Sequence, residues 1–241
     1  MTRPLILCSA ISKGVRFKHP FTCIIAGPTG SGRSTFSVRF LENLSSYTKK
    51  RFHRGILWSF SERASITTKN LYALNLNIRY HEGVPVDFKN PRGEPCLFIL
   101  DDLLNDAYSN GRVCDLFTKG SHHRNITFIL ITQNIFHEAK HCRDISLNAK
   151  YLILLKTLGI EIQFFRLAQQ VYPKNNVVLY DSYLDATSKP HGYLVRDLSQ
   201  DINDLLRFRT EIFPDESTFP LVYAPIKYET DTIDLSYPTR S

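Results

Sequence analysis

The stretch Gly27-Pro28-Thr29-Gly30-Ser31-Gly32-Arg33-Ser34 has the residue types that hold a polyphosphate. It lies between an apolar run, Phe21-Thr22-Cys23-Ile24-Ile25-Ala26, and Thr35-Phe36-Ser37-Val38-Arg39-Phe40-Leu41. Strand, glycine-rich loop and helix start, in that order, let successive N–H groups converge on phosphate oxygens with the helix dipole behind them. The spacing fits G-x-x-x-x-G-K-[ST] except that Arg33 stands where lysine is required. Residues 27–35, Thr35 included, are therefore candidate nucleotide-binding residues, with ATP as the expected ligand. Ser34 offers a hydroxyl to Mg2+. Arginine keeps a permanent charge and forks onto phosphate oxygens, but its guanidinium is broader than an ammonium. Binding can then persist while the β/γ-phosphate geometry shifts, and hydrolysis is the open question.

Three further features follow in the order that phosphoryl chemistry requires. Cys96-Leu97-Phe98-Ile99-Leu100-Asp101-Asp102 is a buried-strand pattern ending in two acids, a Walker B pattern. Asp101 is the expected Mg2+ ligand, usually through water, and Asp102 the residue that orients or deprotonates the attacking water. Gln133 follows the next apolar run, Ile126–Ile131, where a neutral amide can meet the γ-phosphate and the water. Arg143 and Arg166 are candidates for a finger that stabilises charge on a neighbouring subunit's transferring phosphoryl group.

Two other patterns compete for attention. His137-Glu138-Ala139-Lys140-His141 is a literal H-E-x-x-H, with Glu161 downstream as a third candidate ligand. On a helix that spacing builds a zinc protease site. Here the segment begins four residues after Gln133, is short and lacks an apolar face, so protease chemistry is not expected. Basic clusters at Lys49–Arg54 and Lys119–Arg124 read first as solvated connectors. In the second, Lys119, His122, His123 and Arg124 are candidate contacts for a phosphate backbone, because in ring motors the segment beyond a Walker B pattern tends to face the central channel.

The elements that must position these residues are strands alternating with helices. Strands are expected at 21–27, 55–60, 77–81, 96–102, 126–131, 151–155 and from His191. Helices are expected at 33–46, 62–74, 103–118 and 161–171, with 135–147 mixed. The alternation argues for an α/β fold with a mainly parallel sheet and helices on both faces. Residues 1–20 read as an irregular basic lead-in. Residues 1–214 form one expected domain and 215–241 an extended C-terminal arm or tail, rich in Pro and Tyr.

The 241 residues suffice for one domain with a sizeable core. A hydrophobic content of 43% against 22% charged residues is that of a globular chain, and a net charge of +7 suits a polyanionic partner. The five cysteines form no C-x-x-C pair, which fits a reducing compartment. No apolar run is long enough to span a bilayer, so no membrane partner is expected.

These residues resemble the viral DNA-packaging ATPases of the FtsK/HerA superfamily, in particular those of Polinton/Maverick-type elements, adintovirus-like viruses and poxvirus-type viruses. The resemblance runs from about His19 to Pro214. Its carriers are Gly27–Ser34, Ile56–Glu62, Asp101-Asp102, Phe117–Asn125, Thr132-Gln133-Asn134, Arg143–Ala149 and His191-Gly192-Tyr193-Leu194. It implies a RecA-like P-loop NTPase core, ATP with Mg2+, a homo-oligomeric ring (often a hexamer) and capsid proteins as partners. It also implies translocation of double-stranded DNA into a capsid, at an assembly site in the host nucleus or cytoplasm, with virion association. The chain departs from the family at Arg33 and near Gly159-Ile160, where the family often carries an Arg-Asp pair. Both departures touch phosphate chemistry. They keep open a catalytically impaired nucleotide-binding subunit that acts in assembly. A small-molecule kinase is a third reading, without a visible lid or acceptor motif.

Overall fold

The computed structural model describes residues 2–6, 16–48, 52, 55–60, 76–90, 93–135, 140–157, 165, 169 and 176–225. The expected helices at 62–74 and, save two residues, 161–171 lie outside them. So do Lys49–Arg51, His137–Ala139, Gly159-Ile160, Glu161, Arg166 and the arm beyond 225.

The apolar runs become strands because both of their faces are covered. Ten strands are described: β1 (Thr2–Ile6), β2 (Thr22–Ala26), β3 (Ile56–Phe60), β4 (Ile78–Glu82), β5 (Cys96–Asp101), β6 (Ile126–Thr132), β7 (Tyr151–Leu155), β8 (Tyr193–Asp197), β9 (Phe208–Thr210) and β10 (Leu221–Pro225). They form one sheet in the order β1-β10-β9-β8-β7-β2-β6-β5-β3-β4. The pairs from β7 through β2, β6, β5 and β3 to β4 are parallel. Those joining β7, β8, β9, β10 and β1 are antiparallel.

Successive strand residues feed opposite faces. Ile24, Leu100, Phe128, Leu130 and Leu152 enter one core, while Cys23, Ile25, Ile99, Ile129 and Ile153 enter the other. Helix α1 (Arg33–Glu42) and the short α2 (Leu44–Tyr47) cover the second face with Phe36, Phe40, Leu41 and Leu44. The first face is covered by α3 (Leu104–Ser109), α4 (Gly111–Asp115), a π-helical turn (Leu116–Gly120), α5 (Ser121–His123), α6 (Cys142–Asn148) and α7 (Asn176–Ala186).

Several expectations shift. The helix expected over 103–118 is broken at Asn110, whose backbone is extended and whose side chain accepts from the Arg112 N–H at 2.9 Å. That cap starts a new helix instead of continuing the old one. The basic connector that followed is largely helical. The lead-in contains β1, which pairs with β10. Residues 215–225, expected as the start of the arm, contain β10 and so extend the sheet past Pro214.

Candidate nucleotide-binding site

Strand register brings the chemistry-bearing residues to one edge. Strands β2, β6 and β5 are neighbours, with Ala26 opposite Thr132 and Asp101 opposite Ile131. The loop after β2, the acids closing β5 and Gln133 after β6 therefore share the carboxyl edge of the parallel strands, where open α/β sheets bind ligands.

The loop leaves the sheet in register, with the Gly27 N–H donating to Thr132 O at 3.2 Å. It turns through a Ser31 N–H to Pro28 O bond of 3.1 Å and enters α1 with Phe36 N–H donating to Gly32 O at 2.8 Å. Two glycines are required on geometric grounds. A Cβ on Gly27 would lie 2.6 Å from Ser31 Oγ and 2.9 Å from Leu155 Cβ. Gly32 has φ 100°, the left-handed region that admits the chain to the helix. Thr29, Gly30, Ser34 and Thr35 are exposed. Ser31 Oγ is buried and makes no hydrogen bond among the described residues. A buried donor in such a cradle fits a phosphate oxygen.

Arg33 folds back over the site. Its side chain is only 12% exposed, and Nη1 lies 3.7 Å from an Asp102 carboxylate oxygen. That is too long for a hydrogen bond, and the buried Nη1 makes none among the described residues. A phosphate oxygen fits this orphaned donor too. Gln133 Nε2 donates to both Asp102 oxygens, at 2.9 and 3.2 Å. Asp102 sits at φ 55° and its N–H donates to Ile131 O at 3.2 Å. This left-handed residue turns the chain off β5 and leaves the exposed carboxylate beside Gln133.

Asp101 is mostly buried. Burial pushes its carboxyl up to about 6, and the Asp102 charge adds to that, while the Arg33 guanidinium and a Trp58 hydrogen bond pull it back. Hard oxygen donors from Ser34 and Asp101 suit Mg2+. Trp58 and His191 escaped the site reading. His191 Nδ1 lies 3.2 Å from Ser31 O, and its ring stands over Gly32, where an added Cβ would meet Nδ1 at 3.1 Å. His191 also has φ 57°. The His191-Gly192 turn ahead of β8 was visible, but nothing local tied it to residue 32.

The remaining candidates lie elsewhere. Arg143 is exposed on α6. Lys119, His122, His123 and Arg124 are exposed before β6, at the opposite edge of the sheet from the loop. Within that group Lys119 and Arg124 reach Asp115 at 3.7 and 2.9 Å.

No protein-family model matches the chain, and neither does any curated protein. Solved structures do. The genome-packaging NTPase B204 of Sulfolobus turreted icosahedral virus 2, in complex with sulfate, aligns with a TM-score of 0.53 at 12% identity, over 86% of this chain and 97% of that one. B204, the DNA-packaging ATPase from Sulfolobus turreted icosahedral virus, aligns at 0.49 with 12% identity, over 76% and 96%. The KaiC-like protein PH0186 from Pyrococcus horikoshii OT3 aligns at 0.42 with 12% identity, over 86% and 90%. The first alignment carries the fold conclusion. The chain has the RecA-like P-loop NTPase fold, and a viral genome-packaging NTPase is among its structural neighbours.

Proposed function

We propose that this chain is an ATP-driven motor subunit that moves double-stranded viral DNA into a capsid as part of a homo-oligomeric ring. It would act at a capsid assembly site in the host nucleus or cytoplasm, and in the virion. The observation that supports this most is the convergence of loop 27–35, Asp101-Asp102 and Gln133 at one sheet edge. The fold shared with a genome-packaging NTPase points the same way.

Bound ATP with Mg2+ would supply the labile γ-phosphoryl bond and neutralise its charge. In this reading the N–H groups of 27–35 bind the phosphates, Arg33 forks onto their oxygens, and Ser34 and Asp101 hold the cation. Gln133 holds the Asp102 carboxylate in place to orient the attacking water and take its proton. Arg143 or Arg166 serves a neighbour's site. Lys119, His122, His123 and Arg124 meet DNA phosphates, which must compete with Asp115 for two of these cations.

The test is ATP turnover with and without duplex DNA. DNA-stimulated turnover is expected, and Asp102→Asn is expected to lose about 100-fold or more, the usual worth of a positioned general base. Absence of turnover under both conditions in an intact oligomer would overturn the motor.

One observation favours a second reading, a nucleotide-binding subunit with impaired catalysis. Arg33 leans on Asp102, the same carboxylate that Gln133 engages. Displacement of reacting groups by about an ångström costs on the order of 100-fold. Arg33→Lys separates the readings. A gain of about tenfold or more marks a slowed motor, whereas unchanged turnover with nucleotide still bound marks the binding subunit.

A further inference from the structure

His141 ends the H-E-x-x-H motif, but its described neighbours are not the motif's own. One ligand atom each from Cys114, His141 and Asp144 lie within 4.8 Å of one another. Cys114 comes from α4, His141 immediately precedes α6, and Asp144 lies in its first turn. We propose that Cys114, His141 and Asp144 form a zinc site that clamps α4 to α6, outside the nucleotide site.

The donor set selects the metal. A thiolate, an imidazole and a carboxylate suit Zn2+, whereas Mg2+ takes oxygen ligands. Ligand bonds of about 2.0–2.3 Å put tetrahedral donor atoms roughly 3.3–3.8 Å apart, so modest side-chain rotation closes the cluster. The donors are uncommitted: among the described residues none of these three side chains makes a hydrogen bond or ion pair. The carboxylates of Asp144 and Asp115 lie near enough to Cys114 to act on it electrostatically. The same charges favour a divalent cation. Gly111 stands beside the imidazole: a Cβ added there would lie 3.9 Å from His141 Nε2, an ordinary contact distance. Asp144 is exposed and gives the ion a path from solvent, leaving the fourth position to water. On binding, the Cys114 thiol gives its proton to solvent and its sulfur forms the metal bond.

The sequence meaning of this clamp is specific. Helix α4 lies in the segment between the β5 acids and β6, and α6 follows the Gln133 tip of β6. The π-helical turn begins two residues after Cys114, and such widened turns cluster at functional positions.

The test uses the metal-free full-length chain, equilibrated with Zn2+ alone and no nucleotide, then freed of unbound metal and assayed by atomic spectroscopy. One zinc per chain is expected, and Co2+ in its place is expected to show a thiolate-to-cobalt charge-transfer band. Cys114→Ser should abolish the band. Asp144→Asn, an exposed change, should weaken zinc binding by at least about tenfold. Cys96→Ser and Asp101→Asn should leave both readouts unchanged. The proposal is overturned if no zinc is retained, if Cys114→Ser and His141→Ala retain it fully, or if Asp101→Asn releases it.

Discussion

Asp101 and Asp197 each close a strand of the same sheet, and the surroundings of the two carboxylates differ in kind. Asp197, 2% exposed, ends β8 in the antiparallel half. It accepts from Arg209 Nη2 at 3.1 Å and from the Ser199 N–H at 2.9 Å. Asp101 ends β5 in the parallel half, where the Arg33 guanidinium and the Trp58 indole offset only part of its burial. One acid is answered within the fold, and the other only in part. In the antiparallel half a buried carboxylate meets a buried guanidinium, Asp197 with Arg209. In the parallel half the Asp101 carboxylate is compensated only in part.

The strongest way to break this comparison is Asp197→Ala. Removing one partner of a buried ion pair strands the other, here Arg209 at 1% exposure, and typically costs about 3–5 kcal/mol. Urea unfolding of the full chain at neutral pH measures it. A loss below about 1 kcal/mol would mean that the pair does not organise the antiparallel half.

The second test runs in the opposite direction. Asp101→Asn is expected to stabilise the nucleotide-free protein. A carboxyl lifted from 3.8 to about 6, at about 1.36 kcal/mol per unit, bounds the gain near 3 kcal/mol at pH 7. The folded state holds the Asp101 proton to higher pH than the unfolded state does. Stability from this group therefore falls as pH rises between about 4 and 6, and the penalty is complete above 6. The gain in Asp101→Asn should then shrink to nothing towards pH 4. Over the same window magnesium-dependent nucleotide binding by the native chain should weaken on acidification, since the protonated carboxyl is a poorer ligand. Equal stability of the two proteins at every pH would remove the distinction between the acids.

The same contrast explains what was legible in the sequence. Parallel strands covered on both faces read as unbroken apolar runs, so β2, β3, β5, β6 and β7 were placed within a residue or two. The loop and the acids were legible because their motif is local. The strands β9 and β10 were not, because their half of the sheet buries polar residues such as Arg196, Asp197, Arg209 and Thr210. A buried arginine in a three-residue strand looks like surface. β1 is a five-residue edge strand whose partner lies more than two hundred residues away, and no local pattern announces that. The Arg33–Asp102 approach, the Trp58 bond to Asp101 and the seat of His191 are tertiary facts of the same kind.

The smallest expected effect probes the seam between the halves. Arg39 projects from α1, the helix that carries the loop, and donates to Glu216 at 2.8 Å and to Asp215 at 2.7 and 2.8 Å. Its guanidinium stands 4.0 Å from the centre of the Phe213 ring. Glu216 also accepts from the Tyr193 hydroxyl, so the network reaches β8. The contacts are near the surface, where a cation–π contact is worth about 0.5–1 kcal/mol and an ion pair about 0.2–1. Arg39→Ala should therefore cost about 1–2 kcal/mol in urea unfolding, and Arg39→Lys less, since an ammonium keeps the charge but loses the planar fork. Raising salt should reduce the ionic part of the Arg39→Ala penalty and leave the packing part. Nucleotide affinity carries the sharper question. If α1 is held by its own apolar face, affinity is unchanged in Arg39→Ala. A drop of several-fold would show that the antiparallel half sets the seat of the loop, and the two halves would then have to be treated as one site.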